Sequence, residues 1–267
     1  MCRREIQRRS FFISGKALGG ILLVMVLAAQ LHAESRLITI GVESGAYFPM
    51  YDDSSGQYRG FSRDLLDQFA LFENIRITYK ILPLKRLTEY AKGERIDLRF
   101  PDNPYWETEA KADAHFTYSH PVVTYIDGTL VKPERVGLGL EKLHELGIVS
   151  GFTPWPYFNA IKQQKVQVKE NNSRLGLLQQ VLLERIDGAY TSVVVANYQM
   201  AHELEQPGKL VFDPSLPYVK SHYYLSTVHH PELITRFNRF LTEQAPLVEA
   251  LKQHYRVEEG LAAVPDS

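Results

Sequence analysis

Hydrophobic and polar positions switch between two periods along the chain. Residues 37–42, Leu-Ile-Thr-Ile-Gly-Val, form a short apolar, β-branched run, the pattern of a buried parallel strand. A loop over 43–60, rich in Gly, Ser, Asp and aromatic residues, follows it. Leu65, Leu66, Phe69 and Phe72 then fall on one face of a helix over 62–73, with Ser62 placed to cap it. A second strand is expected over 75–82. Leu84, Leu87 and Ala91 mark a short helix closed by Gly93, and a third strand covers 96–100.

The second half repeats this logic. A short strand at 146–149 runs into Ser150-Gly151-Phe152-Thr153. Ser173 can cap a helix whose apolar positions are Leu175, Leu178, Val181 and Leu182. A strand at 187–190 ends on Thr191-Ser192, and another covers 222–228. Pro231 opens a helix with Leu233, Phe237, Phe240 and Leu241 on one side. Strands alternating with helices predict an α/β fold with mostly parallel sheets, in two units of about 100 residues each. Ligands of open α/β sheets sit beyond the carboxyl ends of the strands, so the loops after Val42, Leu82, Phe100, Val149 and Tyr190 are the ones to inspect.

The chain has 267 residues, 45% hydrophobic and 23% charged, as a soluble globular protein would. Its net charge of −1 disfavours a dedicated nucleic-acid binder. The first 33 residues stand apart. Arg3, Arg4, Arg8, Arg9 and Lys16 precede an apolar run over 17–29, the order of a secretory signal with cleavage expected after Ala33. Gln7-Arg8-Arg9-Ser10-Phe11-Phe12 also resembles a twin-arginine export signal, which leaves the general and the twin-arginine routes both open. Cleavage removes five bases, one acid and the sole cysteine, Cys2, leaving a 234-residue product of net charge −5. That product has no disulfide, no thiol nucleophile and no cysteine-ligated zinc. A monomeric periplasmic protein is the expectation. The nine histidines lack a His-Glu-x-x-His or other ligand pattern, and neither a Gly-x-Ser-x-Gly elbow nor a P-loop occurs. No metal, no cofactor and no catalytic constellation is therefore expected.

Five motifs in order carry a resemblance. They are Ile38-Thr-Ile-Gly-Val42 followed by Tyr47, Phe48 and Pro49; Gly56-Gln-Tyr-Arg-Gly-Phe-Ser-Arg-Asp-Leu65; Leu82-Pro-Leu-Lys-Arg86 leading to Gly93-Glu-Arg-Ile-Asp-Leu98; Tyr118-Ser119-His120-Pro121; and Glu184-Arg-Ile-Asp-Gly188. Together they resemble family 3 of the type 2 periplasmic solute-binding proteins, whose members serve polar amino acid ABC importers. The resemblance implies a two-lobed α/β fold with two hinge crossovers and the ligand enclosed between the lobes. It places lobe 1 at 34–131 plus 222–267, lobe 2 at 135–219 and the hinges near 130–133 and 219–222. It also implies a non-enzymatic receptor that closes over a small molecule and delivers it to an inner-membrane ABC permease. Two other readings stay open: an enzyme of the cyclohexadienyl dehydratase type on the same fold, and a receptor for a separate signalling partner.

The chain departs from this pattern at the ligand. Where amino acid binders carry an arginine for the ligand carboxylate, it has Trp106-Glu-Thr-Glu-Ala-Lys-Ala-Asp113, with Lys111 as the available cation. Where relatives often carry an aspartate for the ligand ammonium, it has Tyr190-Thr191-Ser192. A buried ligand charge without a partner is costly, so a standard α-amino acid is disfavoured and a neutral, aromatic or cationic ligand expected. The candidate contacts are Glu43, as an acid facing a cation; Tyr47, Phe48, Tyr51 and Trp106, as stacking surfaces; and Arg86, as a fork for a carboxylate or phosphate. Asp102, Asn103 and Ser119 stand at the expected cleft edge. Thr153, Thr191 and Ser192 are neutral hydrogen-bonding groups on the opposite side.

Overall fold

The computed structural model describes residues 36–261 together with 264 and 265; the expected signal segment and its cleavage point lie outside the described residues. In chain order the elements are β1 (Leu37–Glu43), α1 (Phe61–Glu73), β2 (Arg76–Leu82), α2 (Leu84–Lys92), β3 (Leu98–Asp102), α3 (Thr108–Lys111), β4 (Thr117–Tyr118) and β5 (Val123–Val131). Then follow β6 (Glu145–Val149), α4 (Phe158–Lys162), β7 (Gln167–Asn171), α5 (Arg174–Leu182), β8 (Gly188–Ser192), α6 (Val193–His202), β9 (Val211–Phe212), β10 (Val219–Thr227), α7 (Pro231–Glu243) and α8 (Ala245–Tyr255). The strands run in the order β2-β1-β3-β10-β5-β8-β6-β7, with β4 on β10 and β9 on β5.

Two parallel groups, β2-β1-β3 and β7-β6-β8, flank an antiparallel centre. That centre is β5 paired with β10, with Tyr125 opposite Ser221. Each strand serves both sides. β10 pairs with β5 from Val219 to Tyr223, then with β3 from Tyr224 onward. β5 changes partner at Asp127, which lies opposite Val219 on one flank and Ser192 on the other. The expected strand at 222–228 is thus the second half of a longer one. Its partner β5 had no counterpart in the sequence reading, because Asp127 and Gly128 interrupt its apolar run.

The core follows the apolar pattern. Ile38, Ile40 and Val42 of β1 pack with Phe61, Leu65, Leu66 and Phe69 of α1 and with Leu233, Phe237 and Phe240 of α7. The Phe69 and Phe237 rings meet edge to face at 5.0 Å, and each such buried side chain contributes roughly 1.5–3 kcal/mol. On the other side, Leu177, Leu178 and Val181 of α5 bury against Ile126 and Leu130 of β5 and Ala189 of β8. Leu177 therefore replaces Leu175 on the face expected from spacing.

The caps divide. The Ser173 hydroxyl accepts from the Gly176 amide at 3.3 Å, as anticipated. Ser62 does not cap α1: the helix begins one residue earlier and Ser62 is buried inside it. Gly60 takes the cap position at φ 104°, in a backbone region that favours glycine, and a Cβ there would meet the Met50 and Pro49 carbonyl oxygens at 3.0 Å. Among the described residues no helix is long and apolar enough to cross a membrane.

Candidate functional site

Three structural elements converge beside the β5–β10 crossing. The first is the loop after β1. Tyr47 and Tyr51 form a β-bridge, and their rings stack at 4.9 Å and 13°. The Asp53 carboxylate holds the Gly45 amide at 2.9 Å, and Asp52 pairs with Arg59, so the aromatic loop is braced from below. The second is the crossing itself. Tyr125 of β5 and Tyr223 of β10 stack at 4.6 Å, and Trp106 closes on both, at 5.9 and 5.6 Å. The third is the carboxyl end of β8 with the start of α5. Arg174 donates Nε to Thr191 Oγ1 at 2.8 Å, donates Nη1 to the Ala46 carbonyl at 3.2 Å, and lies 4.5 Å over the Tyr47 ring.

Two acids sit within this arrangement. Glu43, at the end of β1, interacts with the Tyr51 hydroxyl. Burial raises its pKa, opposed by the Tyr51 hydroxyl and the charges of Arg99 and Arg174. Asp127 follows Tyr125 by two positions and shares its face of β5. Its Oδ1 is sealed from solvent and accepts no hydrogen bond among the described residues. Burial pushes the Asp127 carboxyl up to about 7, and the Arg174 charge only partly pulls it back. The hydroxyls of Tyr47, Tyr125, Tyr190 and Tyr223 are all pushed up by burial, with the Asp127 charge adding to it in each case; Tyr47 reaches about 12.

The structure gathers Glu43, Tyr47, Trp106, Thr191 and Ser192 into this group; the Tyr47 hydroxyl faces Ser192 and Tyr223. Phe48 turns away, packing on Tyr198 at 4.7 Å and Tyr255 at 5.9 Å. Arg86 is exposed on α2. Thr153 is half-buried beyond β6, its carbonyl taken by the Trp155 amide at 3.0 Å.

Asp102, Asn103 and Ser119 are buried and engaged by the protein itself. Asp102 accepts from Lys111 Nζ at 2.7 Å and Ser226 Oγ at 2.6 Å. Asn103 donates to Ser221 Oγ at 3.0 Å and to the His222 carbonyl at 2.9 Å. Ser119 Oγ accepts from the Leu225 amide at 3.0 Å. Lys111, the available substitute for a ligand-binding arginine, is thus committed to Asp102 and the Asn103 carbonyl. Beside it Arg99, fully buried on β3, donates to Thr88 Oγ1 at 2.6 Å and pairs with Glu107 at 2.8 Å.

Sequence reasoning missed Tyr125, Asp127, Arg174 and Tyr223 as site residues, and took Tyr190 only as the residue leading to Thr191. The period-2 offset of Tyr125 and Asp127, with Ser221 and Tyr223 at the same offset, was a usable signal once β5 and β10 are paired. Arg174 had none beyond its place next to a helix cap.

No protein-family profile matches the chain, and no curated protein sequence is similar to it. Solved structures are similar in fold. The ligand-binding core of GluR0 in complex with L-glutamate superposes with a TM-score of 0.66 at 13% identity, covering 84% of this chain and 99% of that one. A histidine kinase sensor domain with similarity to periplasmic binding proteins gives 0.65 at 16% identity, over 83% and 96%. An arginine 3rd transport system periplasmic binding protein from Legionella pneumophila gives 0.62 at 18%, over 83% and 100%. With its two parallel sheet groups joined through β5 and β10, and at this level of likeness, the chain has the two-lobed α/β fold of the type 2 periplasmic binding proteins.

Proposed function

We propose that the chain is a solute-binding receptor whose lobes close over a small molecule at the junction of Tyr47, Asp127 and Arg174. The observation that carries this reading is the convergence of side chains from the β1 loop, the β5–β10 crossing and the β8–α5 end on one half-buried group, with Arg174 joining one side to the other. The lobes are 34–131 plus 222–267 and 135–219, and they turn about the two crossing strands. The working compartment is the periplasm, reached on a cleaved signal at 1–33, and the receiving partner is an inner-membrane ABC permease. The ligand is not a standard α-amino acid: the cation that could stand in for the usual arginine, Lys111, is engaged by Asp102.

A ligand stabilises the closed form only by its higher affinity for that form. Small-angle scattering of the purified protein, with and without candidate ligands, tests the reading. A compound that raises the melting temperature should also shrink the radius of gyration. A compound that binds with no change in shape would sink the closure mechanism.

A further inference from the structure

We propose that this site takes a small organic cation, its ammonium group held on the Asp127 carboxylate among Tyr47, Tyr125, Tyr190 and Tyr223, an assignment that rests on the receptor reading above. Three observations converge on it. Asp127 is half-buried, and its Oδ1 is sealed from solvent and accepts no hydrogen bond among the described residues, at the place where β5 changes partner. A sealed carboxylate oxygen left in that state is expensive, and a donor that also carries positive charge is the chemistry that relieves it. The residues around it are tyrosines from the β1 loop, β5, β8 and β10, whose ring faces attract cations and whose hydroxyls orient them.

The local charges agree. Glu43 and Asp127 are the acids of the group and Arg174 is its cation. Arg174 has committed Nε to Thr191 and Nη1 to Ala46. Arg99, which also faces Glu43, is paired with Glu107. One acid therefore remains unmatched. A carboxylate ligand would lie beside two acids. A neutral ligand would leave Asp127 with the Arg174 charge as its only partial compensation. An ammonium group supplies the charge and the missing donor together.

The test is a thermal-shift and calorimetry panel at pH 8 built on matched sets. The ammonium compounds are butylammonium, putrescine and 2-phenylethylammonium. Their neutral isosteres are butanol, butanediol and 2-phenylethanol, and the carboxylates are valerate, glutarate and 3-phenylpropionate. The ammonium set is expected to bind. Asp127→Asn should weaken that binding by at least about thirtyfold, the effect of removing one partner of a desolvated charge pair. In the wild type, taking the pH from 8 to 5.5 should weaken it at least about tenfold, because a protonated carboxyl no longer attracts the cation. This second measurement holds even if the variant folds poorly. Binding of a neutral compound or a carboxylate, equal in wild type and Asp127→Asn and accompanied by closure in scattering, would overturn the cation assignment and leave the receptor reading standing. If no compound binds and the scattering profile never changes, the receptor reading falls and the cation assignment falls with it.

Discussion

Arg174, the first residue of α5, holds its guanidinium 4.5 Å over the ring of Tyr47, a residue from the opposite side of the molecule. The neighbouring hydrogen bond to the Ala46 carbonyl fixes the same approach. Together these contacts form a latch between the β1 loop and the β8–α5 end. It is built from an arginine because only a planar, multiply donating cation can stack and donate at once.

Removing the latch should favour the open form. A cation–π contact with one hydrogen bond is worth about 1–3 kcal/mol, so Arg174→Ala should change the closed-to-open ratio by between about fivefold and a hundredfold. The unliganded variant should show a larger radius of gyration than wild type. Arg174→Lys should recover only part of the difference, since an ammonium loses the planar stack.

Asp127 makes stability depend on pH in an unusual direction for an acid. Its folded pKa of about 7 lies above the ordinary carboxylate value, so between those two values the folded state holds a proton that the unfolded state has released. Its contribution to stability is therefore lost as pH rises, and the loss is complete above about 7. The groups facing it are Tyr47, Tyr125, Tyr190, Tyr223 and Arg174; Arg174 moderates the effect without reversing it. Asp127→Asn should raise the melting temperature of the unliganded protein by several degrees at pH 8 and change it little at pH 4. Thermal denaturation across that range checks the sign.

Lys111 is a structural cation, held by Asp102 and the Asn103 carbonyl. Burial lowers its pKa, against the pull of Asp102, which raises it. Lys111→Met would leave Asp102 buried with its bonds from Ser226 Oγ and the Asn103 amide, and with Arg99 Nε, at 3.7 Å, as its remaining cation. Breaking a buried pair in this way costs about 3–5 kcal/mol. The urea midpoint should fall accordingly, while ligand affinity of the folded protein stays near wild type. A large affinity loss without a stability loss would return Lys111 to the ligand.

Gly60 offers a local test of the loop that carries Tyr47. Gly60→Ala forces a side chain into a positive-φ position with carbonyl oxygens at 3.0 Å. Strain of this kind costs about 1–3 kcal/mol, readable in the same urea series.

The parts of the fold visible in the sequence are those whose burial is continuous. β1, α1 and α7 bury regular apolar positions, so period alone locates them to within a residue or two; α2 buries Leu87 and Ala91 but leaves Leu84 exposed. β5 is hidden because its middle, Asp127-Gly128, reads as a turn; it is a strand because both flanks are paired, which is a tertiary fact. The candidate site divides the same way. Glu43, Tyr47, Thr191 and Ser192 lie at strand ends, where α/β proteins place ligands, so position pointed to them. Asp102 and Asn103 lie at such an end too, yet they are engaged internally by Lys111, Ser221 and Ser226, partners up to 124 residues away that no local pattern reveals. Asp127 joins the candidate group only because β5 leaves β10 for β8 at that point.

The stack of Trp106 on Tyr125 and Tyr223 has an optical consequence. The chain contains two tryptophans. Trp155 is 61% exposed on the outer surface beside Phe158, so its emission belongs to water. Trp106 lies on the two strands that link the halves, within energy-transfer range of both tyrosines. Excitation of those tyrosines drains into a single indole on β5 and β10, and the closure proposed above should change its colour and yield. The proposed closure thus has a built-in fluorophore to report it, with no label to attach.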